Sequence, residues 1–246
     1  MKLRNLQSNQ QLDDFERTKL DQLAEEYLLQ LVLGGTVKNM TIGEEKKSQI
    51  VQYHESMCVY ASYDQRKQQA VDFFHKLKGA GTIIEFRTFD DNRDRKDQTL
   101  TRKLRGTIEE CYDELHEVNL RGAGIFFTVN TTDGHGVGNA NIISIEYLWI
   151  EDDGDDPEAV ARCPLIPAIK VKTSDGHYHY YFKVEAGSID VVEFKQYQSV
   201  MAEKYGSDPN ALDCSRVLRA VGFFHCKVDS RKDLTGEMQL VEVCND

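Results

Sequence analysis

No stretch of this 246-residue chain approaches the roughly 20 apolar residues of a membrane span. The opening residues, MKLRNLQSNQQLDDFERTK, hold no apolar core of a secretion signal, so export is not expected. Six cysteines, at 58, 111, 163, 214, 226 and 244, include no C-x-x-C pair. Reduced thiols in a cytoplasm are the expectation. Cys163, Cys214, His225 and Cys226 lack the usual ligand spacing of a zinc site. Also missing are the G-x-x-x-x-G-K-[ST] phosphate loop, the G-x-S-x-G elbow and the H-E-x-x-H metalloprotease motif. The glycines between 134 and 138 are not flanked as a dinucleotide fingerprint requires. Positive charge is scarce too. A net charge of −11 argues against a dedicated high-affinity duplex binder, because phosphate neutralisation dominates that affinity.

What is present suits a globular enzyme. The chain is 40% apolar and 29% charged, enough for one large core or two small ones. Residues 9–33, 44–60 and 64–78 carry helical periodicity, the first ended by Gly34-Gly35 and the last by Gly79. After Gly81 the pattern changes. Strands are expected over 82–89, 123–130, 142–150, 167–174, 177–184 and 238–243, and helices over 101–119 and 190–205. Asp175-Gly176 reads as the turn of a hairpin. The mixture predicts an α+β fold with a largely antiparallel sheet. The change of texture puts a helical accessory region at 1–78 and a catalytic domain at 79–246.

Three segments carry chemistry. The first is Glu151-Asp152-Asp153, at the end of the strand-like run IISIEYLWI. Alternation along a strand puts Glu151 and Asp153 on one face and Asp152 on the other. Two carboxylates so spaced converge on hard cations, half of what a two-metal phosphoryl-transfer site needs. Taken alone, EDDGDDPE, with six acids and no base, is an ordinary solvated loop. The second is Ser174-Asp175-Gly176-His177-Tyr178-His179, which offers a hydroxyl and imidazoles to one anion. The third is Asp208 to Arg219, with Asp213, Arg216 and Arg219. If helical, it makes the two arginines neighbours; an internal salt bridge to Asp213 is the plainer alternative. Bases also cluster at Arg93, Arg95, Lys96, Arg102, Lys103 and Arg105, where a basic channel and a balanced charged surface are equally open.

Together these segments resemble the archaeo-eukaryotic primase superfamily, and within it the RepB-type primase and primase-polymerase domains of phages and plasmids. The resemblance covers roughly 70–246 and extends to IIEFRTFDD, GAGIFFTVNTTDGHG and RVLRAVGFFHCK. It implies an archaeo-eukaryotic primase fold with an RRM-like sheet. It implies a DNA primase or primase-polymerase, a nucleotidyltransferase working on single-stranded DNA template with nucleoside triphosphates in a bacterial cytoplasm. A replicative helicase, in cis or in trans, is the further partner implied. Two divalent ions, Mg²⁺ or Mn²⁺, would be held by Glu151, Asp153 and Asp213. Ser174 and His179 would meet the nucleotide's phosphates, with Arg216, Arg219 and Lys227 as weaker contacts. The sequence departs from the family in having Glu at the first metal position and an acid, Asp152, at the middle one. Asp208 competes with Asp213 as the third acid. Two other classes stay open. A rolling-circle nicking enzyme would use His177 and His179 as paired metal ligands. A replication-associated binding module would have no chemistry.

Overall fold

The computed structural model describes residues 63–154, 156–185, 187–227 and 239–244. The helices expected over 9–33 and 44–60 lie outside the described residues. Helix α1, Tyr63–Lys78, leads into strand β1, Ile84–Asp90. Strand β2, Arg102–Gly106, helix α2, Ile108–Leu120, and strand β3, Ala123–Thr128, follow. Two short strands, β4 at Thr131–Thr132 and β5 at Ile142–Ser144, precede β6 at Tyr147–Asp152. A short helix α3, Pro157–Ala161, leads to the hairpin of β7, Ile169–Ser174, and β8, His177–Lys183. Helix α4, Val191–Tyr205, is followed by β9, Val217–Arg219, and β10, Phe224–His225. Strands β11, Gln239–Leu240, and β12, Glu242–Val243, close the order.

Two four-stranded antiparallel sheets dominate. The first has the order β2-β1-β3-β9 and the second β12-β7-β8-β6. Aromatic side chains join them. Phe73 and Phe74 of α1 meet Phe127 of β3 edge-on, and Phe73 also meets Tyr181 of β8. Phe74 contacts Phe86 of β1 as well. All five are fully buried, so α1 is an element of the same hydrophobic core as the sheets. The boundary expected at residue 79 therefore moves: residues 63–78 pack with the sheets, because Ala70, Phe73, Phe74 and Leu77 form one apolar stripe.

Three other expectations change. The helix placed over 101–119 starts only at Ile108; Thr107 caps it, its side chain bonded to the Glu110 N–H and Glu110 returning to the Thr107 N–H. The preceding RKLRG pairs with β1 as an edge strand instead. The run 142–150 breaks at Glu146, because the Asn130 side chain accepts the N–H groups of Glu146 and Tyr147. The segment holding Arg216 and Arg219 ends in a strand, not a helix, with Val217–Arg219 paired to Phe126–Thr128. The hairpin turn stands as expected, Gly176 taking the left-handed φ of +76° that a side chain would resist. No helix among the described residues is long and apolar enough to cross a membrane.

Membership of α1 in the core is testable. Phe73→Ala should cost about 3–5 kcal/mol in urea unfolding. A fragment starting at 63 should fold and one starting at 79 should not; a stable fragment from 79 would contradict the packing. A pH effect follows from His116, stacked on Tyr112 and buried on α2. Burial, reinforced by the charge of Arg66, pushes its pKa down to about 4. Unfolded, it titrates near 6.5, so its contribution is whole above that pH and is lost as pH falls through 4. His116→Phe keeps the stacking and should flatten the Tm–pH profile between about 6.5 and 4.

Candidate active site

Strand pairing sets the geometry. In the β6–β8 ladder Glu151 lies directly opposite His179, and Asp152 opposite Tyr178. Opposed residues on antiparallel strands have Cα atoms about 4.5–5.5 Å apart, so Glu151 and His179 share one face. Glu151 remains inside the strand; Asp153 lies just past its end and is exposed. The Glu151 N–H donates to Ser207 Oγ at 3.1 Å, which fixes the strand end against the segment after α4. Asp152 is buried on the opposite face, where its carboxylate accepts the Gly154 N–H at 2.9 Å.

Arg216 holds the acids. Its Nε donates to Glu151 Oε1 at 3.2 Å and its Nη2 to Asp208 Oδ2 at 3.0 Å. One guanidinium thus serves two carboxylates, and a third, Asp153, adds negative charge nearby. Burial is the largest influence on Glu151. It outweighs Arg216 and, with Asp208 and Asp153, raises the carboxyl to about pKa 7. The site is short of positive charge at neutral pH. Among the described residues, however, no three His, Cys, Asp or Glu side chains converge as a ready metal-ligand set. The donors fit a hard divalent cation by type and by charge, with the ligand set not yet closed.

Asp213 stands apart from this group. Its exposed carboxylate accepts from Asn139 Nδ2 at 3.1 Å, while Asn139 Oδ1 accepts the Ser215 N–H. Asp208 is the acid that shares Arg216 with Glu151. Sequence spacing left the two acids in competition, because a loop's path between helix and strand is not encoded in periodicity.

The histidines divide as well. His177 Nδ1 lies 2.6 Å from Ser174 Oγ across the end of the hairpin. His179 is buried, and its Nδ1 has no hydrogen-bond partner among the described residues. Burial, then the charge of Arg219, drives its pKa down to about 3, so the ring is neutral. His225, whose Nδ1 donates to the Thr173 carbonyl at 2.9 Å, adds a second imidazole, its Nε2 unpaired. Burial and Arg219 take His225 down to about 4. Sequence reading placed His225 only in a dismissed zinc set.

Arg219 is held elsewhere. Its two terminal nitrogens donate to Asp91, both at 2.9 Å, and Asp91 also accepts the Cys226 N–H. Because the segment is a strand, Arg216 and Arg219 serve different carboxylates instead of forming one pair. Lys227 is exposed. Asp91 was read only as part of a charged loop; its position immediately after β1 was the available signal.

Comparison with known proteins bears on the fold that carries these residues. Residues 137–245 match the family profile of the RepB DNA-primase N-terminal domain. No curated protein matches the sequence. Among solved structures, the crystal structure of primase RepB′ superposes with a TM-score of 0.55 at 16% identity, covering 73% of this chain and 56% of that one. The primase-polymerase AEP domain of cyanophage S-2L gives 0.55 at 19% identity, covering 73% and 89%. The catalytic domain of primase RepB′ in complex with initiator DNA gives 0.53 at 16%, covering 73% and 85%. The chain thus spans about half the length of the RepB′ primase chain. At these identities the likeness is one of fold, and it agrees with the expected α+β, largely antiparallel architecture. Over residues 137–245 the chain is thus similar to the RepB-type primase domain, and its fold is similar to those of these primase structures.

Proposed function

We propose that this chain is a DNA primase, a nucleotidyltransferase that joins nucleoside triphosphates on a single-stranded template in phage or plasmid replication. The observation that carries this reading is the partly buried Glu151. It faces His179 and shares its surroundings with Asp153 and Asp208, on the β6–β8 pair of a RepB-like domain. A carboxylate in such a place needs a cation, and the nearest one, Arg216, is divided between two acids.

Glu151 and Asp153 would hold Mg²⁺ or Mn²⁺, with Asp208 or Asp213 completing the set. Divalent ions, when bound there, would supply charge neutralisation at the attacking and leaving oxygens. The protein's own groups supply the rest. Neutral His179, one ring nitrogen unpaired, would donate its N–H to a triphosphate oxygen without the desolvation cost of a buried charge. Ser174, bonded to His177, would present its hydroxyl at the hairpin tip. Arg216, released from the acids, would turn its fork to phosphate oxygens. Joining the first two nucleotides requires both to be held without a preformed primer end, so triphosphate contacts and lost freedom of motion weigh heavily.

The double substitution Glu151→Ala/Asp153→Ala should abolish divalent-dependent oligonucleotide synthesis while leaving the circular dichroism spectrum intact. Asp152→Ala should keep most activity, its loss being one backbone hydrogen bond, about 1 kcal/mol. Synthesis that survives the double change would sink the assignment.

Arg216 gives a test that needs no turnover. In chelator, Arg216→Met leaves Glu151 and Asp208 without their shared cation and should lose about 1.5–3 kcal/mol of stability. Mn²⁺ should then raise the melting temperature of the variant more than that of the parent. Equal Mn²⁺ shifts in the two proteins would mean that the acids do not receive the metal.

His179→Ala should weaken Mn²⁺-dependent nucleotide binding by about 1.5–3 kcal/mol, and His177→Ala much less. Equal losses, with DNA found covalently joined to a tyrosine, would point to a nicking enzyme.

A further inference from the structure

The first sheet has two faces of opposite character. Toward the helices it presents Ile84 and Phe86 of β1, Ile125 and Phe127 of β3, and Leu218 of β9, all buried. Alternation puts Arg87, Lys103, Phe126 and Arg219 on the other face. The register makes these four a single row. Lys103 opposes Arg87, Arg87 opposes Phe126, and Phe126 opposes Arg219. Strands about 4.8 Å apart make the row about 14 Å long, crossing the whole sheet.

Charge and aromatic surface alternate along it. The Arg87 guanidinium lies over the Phe89 ring at 5.0 Å, and that of Arg219 over Phe126 at 4.7 Å. The two rings are 5.7 Å apart. Phe126 lies low on the sheet because its neighbour on that face is Gly124; a Cβ there would come within 2.8 Å of the ring. Lys103 is exposed at the edge. Neither Lys103 nor Arg87 has an acidic partner among the described residues, and Arg87 Nε, shut off from solvent, has no hydrogen-bond acceptor. Cation–π contacts alone account for a stable sheet face. They do not account for two adjacent cations, Arg87 and Lys103, without an acidic partner among the described residues on a chain whose net charge is −11.

Anionic polymer with stackable bases is the ligand this chemistry fits. Bases stack on aromatic rings and guanidinium planes, and phosphates take the cations between. The row also leads to the site already described. Arg219 ends it on β9, and Arg216, bonded to Glu151, lies immediately before that strand, three residues from Arg219, about 10 Å of extended chain.

Resting on the primase reading, we propose that this outer face, along Lys103–Arg87–Phe126–Arg219, is the seat of the single-stranded DNA template. Bases stack on Phe126 and Phe89, phosphates sit at Arg87 and Lys103, and the strand passes over β9 toward Glu151.

Fluorescence anisotropy of the full chain with a labelled single-stranded oligodeoxynucleotide, in chelator and over a range of salt, tests this. Arg87→Gln, Lys103→Gln and Phe126→Leu should each weaken binding at least fivefold. The two charge variants should also reduce the salt slope by about 0.7 each, and Phe126→Leu should leave it unchanged. Lys103, exposed on an edge strand, guards against a variant that merely fails to fold. Mn²⁺-dependent binding of free nucleotide should be unaltered in all three. Parental affinity for single strands in the three variants would overturn the proposal, as would duplex bound equally tightly through the same residues. The two readings fail separately. Variants that lose single-strand binding in a protein that makes no oligonucleotide leave this face standing and remove the primase. Variants that bind normally in a protein that primes remove the face alone.

Discussion

A partly buried carboxylate that its surroundings do not fully neutralise organises this molecule. Glu151 is held in a strand, and that strand's partner sets His179 opposite it. The strand end is tied down by Ser207, and the counter-charge comes from Arg216, which Asp208 shares. Burial of an acid without a full partner costs free energy unless something later supplies charge. The two sheets, joined through Phe73, Phe127 and Tyr181, supply the rigidity that keeps the arrangement from relaxing.

The sheets divide the labour. The second carries Glu151 and the hairpin histidines. The first carries the row of cations and rings on its outer face, and β9 belongs to the first sheet while its approach carries Arg216 into the acidic group. A three-residue strand therefore couples two kinds of chemistry: charge on an acid at one end, and aromatic contact with Phe126 at the other.

Much of the fold was legible in sequence because its signals are local. The Asp175-Gly176 hairpin and helix α4, expected over 190–205 and observed over Val191–Tyr205, follow from such signals. The alternation that buries Asp152 away from Glu151 follows from the strand period alone. Other features depend on contacts between distant residues. RKLRG reads as the start of a helix until β1 offers it an edge to pair with. Helix α1 looks like part of an accessory region until Phe73 and Phe74 find Phe127. Nothing local says that Arg216 reaches Glu151, 65 residues away, or that Arg219 reaches Asp91, 128 away. Sequence names the candidate residues as a list; which of them share a space is a property of the register between strands.

The most direct measurement uses a closed circle of unprimed single-stranded DNA. The full chain is incubated with it, Mn²⁺ and nucleoside triphosphates, and the products are resolved by mass. The account predicts short oligonucleotides that keep a 5′-triphosphate, with the circle intact. A linearised circle with protein attached, or no oligonucleotide at all, would contradict it.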